Sequence, residues 1–252
     1  MLAINHVTLA TAAVFAGSLY FEKPFFLPFI LLVVVASLLP DIDHPKSEMS
    51  QLVPVIGRVF KHRGFTHSLL GLASICTIFF YVLHQTEWAI WVFAIVSAMG
   101  VYFLHKIIRQ RIHDLDTATL GFFSKKQLKL VEFIFSWTLI TFLILIVWVG
   151  RVEVLRSQVF YLLGLGYALH LVGDFVTKEG IPLFYPAKMR SGLRLFVTGS
   201  SVETAIGVLL IIANVILVTQ FCITYHVFSS DYWSQYGVLV KIGELSGSYT
   251  VR

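Results

Sequence analysis

Charge is what this sequence has least of. Only 13% of its 252 residues are Asp, Glu, Lys or Arg, against about 25% in a soluble domain, while 57% are hydrophobic and the mean hydropathy is +0.82. That balance excludes a soluble globular enzyme and leaves a polytopic membrane protein, with apolar runs spaced for spans of roughly 20 residues. Cysteine is scarce as well. Cys76 and Cys222 each lie inside an apolar run, which excludes a disulfide framework. No Lys or Arg precedes Lys23 and no small-residue cleavage pattern follows the first apolar run, so the N-terminal segment does not read as a secretory signal and is expected to be retained. The net charge of +5 is spread over the connections between spans. Membrane topology accounts for it, and no nucleic-acid partner is expected.

What remains is an all-α chain, a transmembrane bundle of about seven helices in one domain, 1–252, with a C-terminal tail over 223–252. The apolar runs place helices at 7–21, 25–39, 67–84, 88–104, 130–149, 158–177 and 202–222, with Thr66 as the N-cap of the third and a weak hairpin pattern from Tyr236 to Arg252. With seven crossings, the segments 41–66, 105–129 and 178–202 share one face and carry 4, 6 and 4 Lys or Arg, 14 of the 19 in the chain. The positive-inside rule makes that face cytoplasmic, with the N-terminus inside and the C-terminus outside.

On the same face the polar residues gather. Asp41, Asp43, His44, His62 and His67 fall in one connection between two apolar runs, and carboxylates with imidazoles are the ligands of Zn²⁺, Mn²⁺ or Mg²⁺. His6 opens the first helix on that side. His170 and Asp174 are four apart and so share a helical face. An Asp in an apolar run costs roughly 2.5–3.5 kcal/mol unless it is paired or metal-bound, although a structural His–Asp hydrogen bond would also satisfy the pair. Glu203 opens the last helix there, and Ser200 three residues before it fits a capping box equally well. Candidate metal ligands are therefore His6, Asp41, Asp43, His62, His67, His170, Asp174 and Glu203. Asp43, His44 and His62 are the candidates for catalytic or bridging duty. His105, His113, Asp114 and Asp116 accompany Lys106, Arg109 and Arg111 and read as a solvated run, whereas Lys188, Arg190 and Arg194 are candidates for gripping a substrate phosphate. Because the ligands cluster at helix ends rather than through the depth of the bilayer, the pattern points to an interfacial site and not to an ion path.

Asn5-His6, Leu-Leu-Pro-Asp-Ile-Asp-His-Pro-Lys-Ser (38–47), His-Arg-Gly-Phe-Thr-His-Ser (62–68), Leu-Gly-Tyr-Ala-Leu-His-Leu-Val-Gly-Asp (165–174), Gly-Ile-Pro-Leu-Phe-Tyr-Pro (180–186) and Glu203 together resemble the YdjM-type family of bacterial inner-membrane, metal-dependent hydrolases. Relative to that family, 85–157 reads as inserted extra helices, and Gly199-Ser200 stands where the family has Gly-Asn before the Glu. The scattered His/Asp set is more distantly similar to zinc phospholipase C and P1-type nucleases, a similarity that implies phosphoester chemistry.

The sequence thus points to a multi-pass protein of the bacterial inner membrane. It would hold one or more divalent metal ions, with Zn²⁺ first and Mn²⁺ or Mg²⁺ as alternatives. Its expected function is hydrolysis of a phosphoester of a lipid or other amphiphile at the cytoplasmic face, through a metal-activated water. The alternative is a non-catalytic metal-binding membrane protein, a transporter component or a scaffold.

Overall fold

The computed structural model describes residues 1–44, 64–84, 153–187 and 189–236. The expected helices at 88–104 and 130–149, the solvated run 105–129 and the hairpin after Tyr236 lie outside the described residues. Among the described residues the fold is all-helical and without strands, and three helices are long and apolar enough to cross a membrane: Ala3–Tyr20, Ser157–Val176 and Ser201–Thr224.

The helices are α1, Ala3–Tyr20; α2, Ile30–Leu38; α3, Leu69–His84; α4, Glu153–Val176; α5, Ser201–Thr224; and the short α6, Ser230–Ser234. Helix α1 begins at Ala3, not at 7, so His6 stands inside its first turn. The expected helix at 25–39 divides. Pro28 and Pro40 sit in the first turns of two 3₁₀ segments, Leu27–Phe29 and Leu39–Asp43, leaving nine residues of α-helix between them. At 1.5 Å per residue α2 is about 14 Å long, too short to cross a hydrocarbon core of about 30 Å. Every residue from Leu31 to Leu38 is buried, as expected of a helix that is apolar on all sides and sheathed by its neighbours.

In lipid the hydrophobic effect does not draw helices together, so close approach and polar contacts must do it. Helix α2 packs on α4 and α1 on α5. A methyl group at Gly166 would lie 2.9 Å from both the Val33 carbonyl oxygen and the Ala36 Cβ, so the α2–α4 approach requires glycine there. Between α1 and α5 the Thr11 hydroxyl donates to Asn214 Oδ1 at 2.7 Å, and Asn214 Nδ2 donates to the Thr8 carbonyl at 2.8 Å.

One end of the bundle is closed by aromatic rings. Phe15, Phe25 and Phe221 meet there, and the Tyr232 hydroxyl of α6 donates to the Phe25 carbonyl while accepting from Leu27 N. The polar residues are at the other end, where α1 and α5 begin and α2 and α4 finish.

Candidate metal centre

Four segments supply the ligands at this end of the bundle. The 3₁₀ segment after α2 carries Asp41 and Asp43, and a second 3₁₀ segment, Phe65–His67, carries Thr66 and His67. That second segment displaces the start of α3 to Leu69, and the cap is Ser68, whose hydroxyl accepts from Gly71 N at 3.1 Å, rather than Thr66. Helix α4 brings His170 and Asp174 on one face, one turn apart, and α1 brings His6.

Asp41, His67, His170 and Asp174 each direct one ligand atom to a common point, all four within 4.8 Å of one another. His67 Nε2 is 3.3 Å from His170 Nε2, 3.4 Å from Asp41 Oδ1 and 3.5 Å from Asp174 Oδ2. His170 Nε2 is 3.7 Å from Asp41 Oδ1 and 3.6 Å from Asp174 Oδ2. Three members are fully buried, and Asp41 has 20% of its side chain exposed.

The tautomers follow from what lies behind each ring. His170 Nδ1–H donates to the Ser37 carbonyl at 2.6 Å, leaving the Nε2 lone pair toward the cluster. Behind His67, Nδ1–H donates to the Thr66 hydroxyl at 3.1 Å, which in turn donates to Asp43 Oδ2; Asp43 itself is 3.5 Å from the ring nitrogen. The Thr66 carbonyl is held by the Tyr167 hydroxyl at 2.5 Å.

Two imidazole lone pairs and two carboxylate oxygens aimed at one point repel each other unless a proton or a cation lies between them. The metal-free protein answers with a proton. Burial works against a charged His67, yet the Asp41 and Asp43 carboxylates beside it prevail and raise it to about 9. Burial likewise works against a charged Asp41, and the surrounding imidazoles, His170 foremost, overcome it and hold the carboxyl well below the usual range. A cation fits the same place: four-coordinate bonds of about 2.0–2.1 Å put neighbouring ligand atoms about 3.3–3.4 Å apart, close to the five separations above, whereas octahedral neighbours would be about 3 Å apart.

His6 is buried beside the cluster. Its ring stacks on His170, centroids 3.8 Å apart and 13° from parallel. His6 Nε2 lies 3.2 Å from Asp174 Oδ1, but neither ring nitrogen is aligned for a hydrogen bond. The N-terminal ammonium also lies against that oxygen.

Other residues singled out in the sequence are placed elsewhere. Asp43 is fully buried behind His67 and outside the four-atom cluster. His44 follows on the 3₁₀ segment, its backbone N–H bonded to the Asp41 carbonyl at 2.9 Å, and is also outside the cluster. Both Glu203 oxygens accept backbone amides, Leu2 N and Gly199 N, each at 2.6 Å, while Ser200 caps Glu203 N at 3.3 Å. The carboxylate thus ties the start of α5 to the start of α1, reaching one residue further back than a capping box does. Arg190 and Arg194 are exposed on the connection after α4. His62 and Lys188 lie outside the described residues. Sequence reasoning missed Ser37, Thr66 and Tyr167. A backbone acceptor leaves no residue-type signal, and the position of Thr66 before an apolar run signals a helix cap that Ser68 forms instead.

The chain is 47% identical over 51 residues to the inner membrane protein YdjM of Escherichia coli (strain K12), and equally to that of Shigella flexneri; the matched stretch is 19% of this chain and 26% of each relative. The chain therefore spans about a quarter of the length of the curated relatives it matches. No solved structure matches. The model of the family described as YdjM inner membrane protein matches residues 1–108 and 114–237, nearly the whole length, and the chain belongs to that family.

Proposed function

We propose that this protein is a metal-dependent hydrolase of the bacterial inner membrane, cleaving a phosphoester of a lipid or similar amphiphile at the cytoplasmic face. The observation that carries the reading is the convergence of four acceptor atoms within 4.8 Å of one another, five of the separations being 3.3–3.7 Å, with both imidazoles locked from behind. Asp41, His67, His170 and Asp174 would hold the ion, and His6 would join them as a fifth donor. The two-nitrogen, two-oxygen set favours Zn²⁺ over the all-oxygen preference of Mg²⁺. When bound, the ion supplies Lewis acidity, polarising phosphoryl oxygens and lowering the pKa of water toward about 7.

The chain's own residues do the rest. Asp43 and Thr66 fix the His67 ring, and the Ser37 carbonyl fixes His170. An apolar cavity of about 280 Å³ between α3 and α4, lined by Leu69, Leu72, Leu171, Phe175, Ile181 and Leu183, supports an amphiphilic substrate. Its walls follow directly on His67, His170 and Asp174 in sequence.

A second reading is a non-catalytic metal-binding protein, favoured by the four protein donors and their deep burial, which resemble a closed structural site. One experiment separates the two. The protein is purified in detergent, its bound metal measured, and phospholipids and prenyl phosphates screened for released phosphate or head group. The hydrolase reading expects turnover that vanishes together with the metal in the His170→Ala, Asp174→Ala double variant. Full turnover by that variant removes the catalytic assignment, and bound metal with no turnover on any substrate favours the structural site.

A further inference from the structure

The connection from α4 to α5 plays no part in holding the cluster, yet its conformation is fixed. Leu193 N and Leu195 N donate to the Phe175 and Val176 carbonyls at 2.8 and 3.0 Å, Lys178 N donates to the Phe196 carbonyl at 2.8 Å, and Ile181 and Ser191 exchange bonds at 3.0 and 2.8 Å. Gly192 lies so close to the Phe175 carbonyl that an added Cβ would be 2.8 Å from it. Ile181 and Phe196 are turned inward. Phe184, Met189, Leu193, Leu195 and Val197 are turned outward, Leu195 being 68% exposed. Lys178, Arg190 and Arg194 are exposed among them.

Water is a poor partner for such a surface. Five large apolar side chains and three cations, held rigidly together, are the composition of a segment that sits between lipid head groups and acyl chains. The segment is also continuous with the bilayer at both ends, since Ser157–Val176 precedes it and Ser201–Thr224 follows it, and both are apolar enough to span. We propose that residues 178–187 and 189–197 lie in the head-group layer of the leaflet nearest the metal centre and bind anionic phospholipid there. The apolar side chains enter the upper acyl region, and Lys178, Arg190 and Arg194 pair with lipid phosphates. The Thr177 hydroxyl bonds the Asp174 carbonyl at 2.8 Å, and this surface begins at the next residue, Lys178, four positions from a cluster member. The proposal holds whether or not the site hydrolyses anything.

The test uses the full chain in nanodiscs of phosphatidylcholine with or without phosphatidylglycerol. With Cys76→Ala and Cys222→Ala as background, single cysteines replacing Leu195 or Glu179 carry a nitrobenzoxadiazole label. The expected result is that the Leu195→Cys label is shielded from aqueous iodide and quenched by lipid brominated in the upper chain, while the Glu179→Cys label is open to iodide. Equal iodide quenching at both positions overturns the proposal. So does a Leu195→Cys label shielded from iodide and from brominated lipid alike, since protein would then cover the surface. For the charges, Arg190→Gln and Arg194→Gly are compared with the parent by native mass spectrometry of retained lipid. Arg194 has φ of 57°, which glycine adopts without strain. Preference for phosphatidylglycerol should fall about fivefold per charge removed, and an unchanged preference removes the anionic-lipid assignment.

Discussion

Replacing Asp43 by Asn tests whether this carboxylate orients a ligand or is one. Its Oδ2 takes the Thr66 hydroxyl proton and is 3.5 Å from His67 Nδ1, beyond the usual limit of about 3.2 Å for a good hydrogen bond. Its hold on the ring therefore runs mainly through Thr66. Loss of a carboxylate behind a ligating histidine costs about 10–100-fold in metal affinity, and because Thr66 still accepts from Nδ1 in the variant, the lower end applies. The expected effect is about tenfold, or about 1.4 kcal/mol, with the number of ions per chain unchanged. The assay is a competition titration against a fluorescent chelator in detergent, with metal content measured separately. An Asp43→Asn protein that loses its metal as completely as Asp174→Ala would show Asp43 to be a ligand; unchanged affinity would show that the relay through Thr66 contributes nothing.

Glu203→Gln should lower thermal stability by about 2–4 kcal/mol, since two charge-assisted bonds to backbone amides are weakened, while metal content stays whole; a drop in bound metal would make Glu203 a ligand. Gly166→Ala forces a methyl group against the Val33 carbonyl and Ala36 and should cost about 1–3 kcal/mol, whereas Gly164→Ala, which meets only Cys76 Sγ at 3.4 Å, should melt close to the parent. In the metal-free protein His67 is raised from 6.5 to about 9, so its stabilisation is complete below pH 6.5 and lost as pH rises through about 9. Melting temperature should fall over that window by the equivalent of about 3 kcal/mol. Metal requires a neutral His67, so the loaded protein should lack this slope, and a slope persisting after loading would speak against His67 as a ligand.

Composition was enough to read an all-helical membrane chain, because in lipid the helix satisfies its own backbone. The four-residue spacing of His170 and Asp174 gave their common face for the same local reason. Boundaries were harder. Prolines 28 and 40 can begin a helical turn as readily as end one, and two 3₁₀ segments took residues expected to belong to α-helices. Asp43 and Asp41 are two apart on a tight turn, and nothing in residue type says which faces the cluster; the structure turns Asp41 toward His170 and Asp43 toward Thr66. Glu203 carried a visible signal, the Ser200 cap, but its second partner, Leu2 N, is a contact across the whole chain that no local pattern reports.

His170 owes its orientation to a main-chain oxygen at position 37, and the hydroxyl of Ser37 is occupied with Val34 in its own helix. Replacing that side chain by alanine would leave the acceptor in place, so an alanine scan should pass over residue 37 in silence. Adding or removing a single residue in α2 would swing the carbonyl about 100° around the helix axis. This core segment should therefore tolerate drift in spelling but none in length.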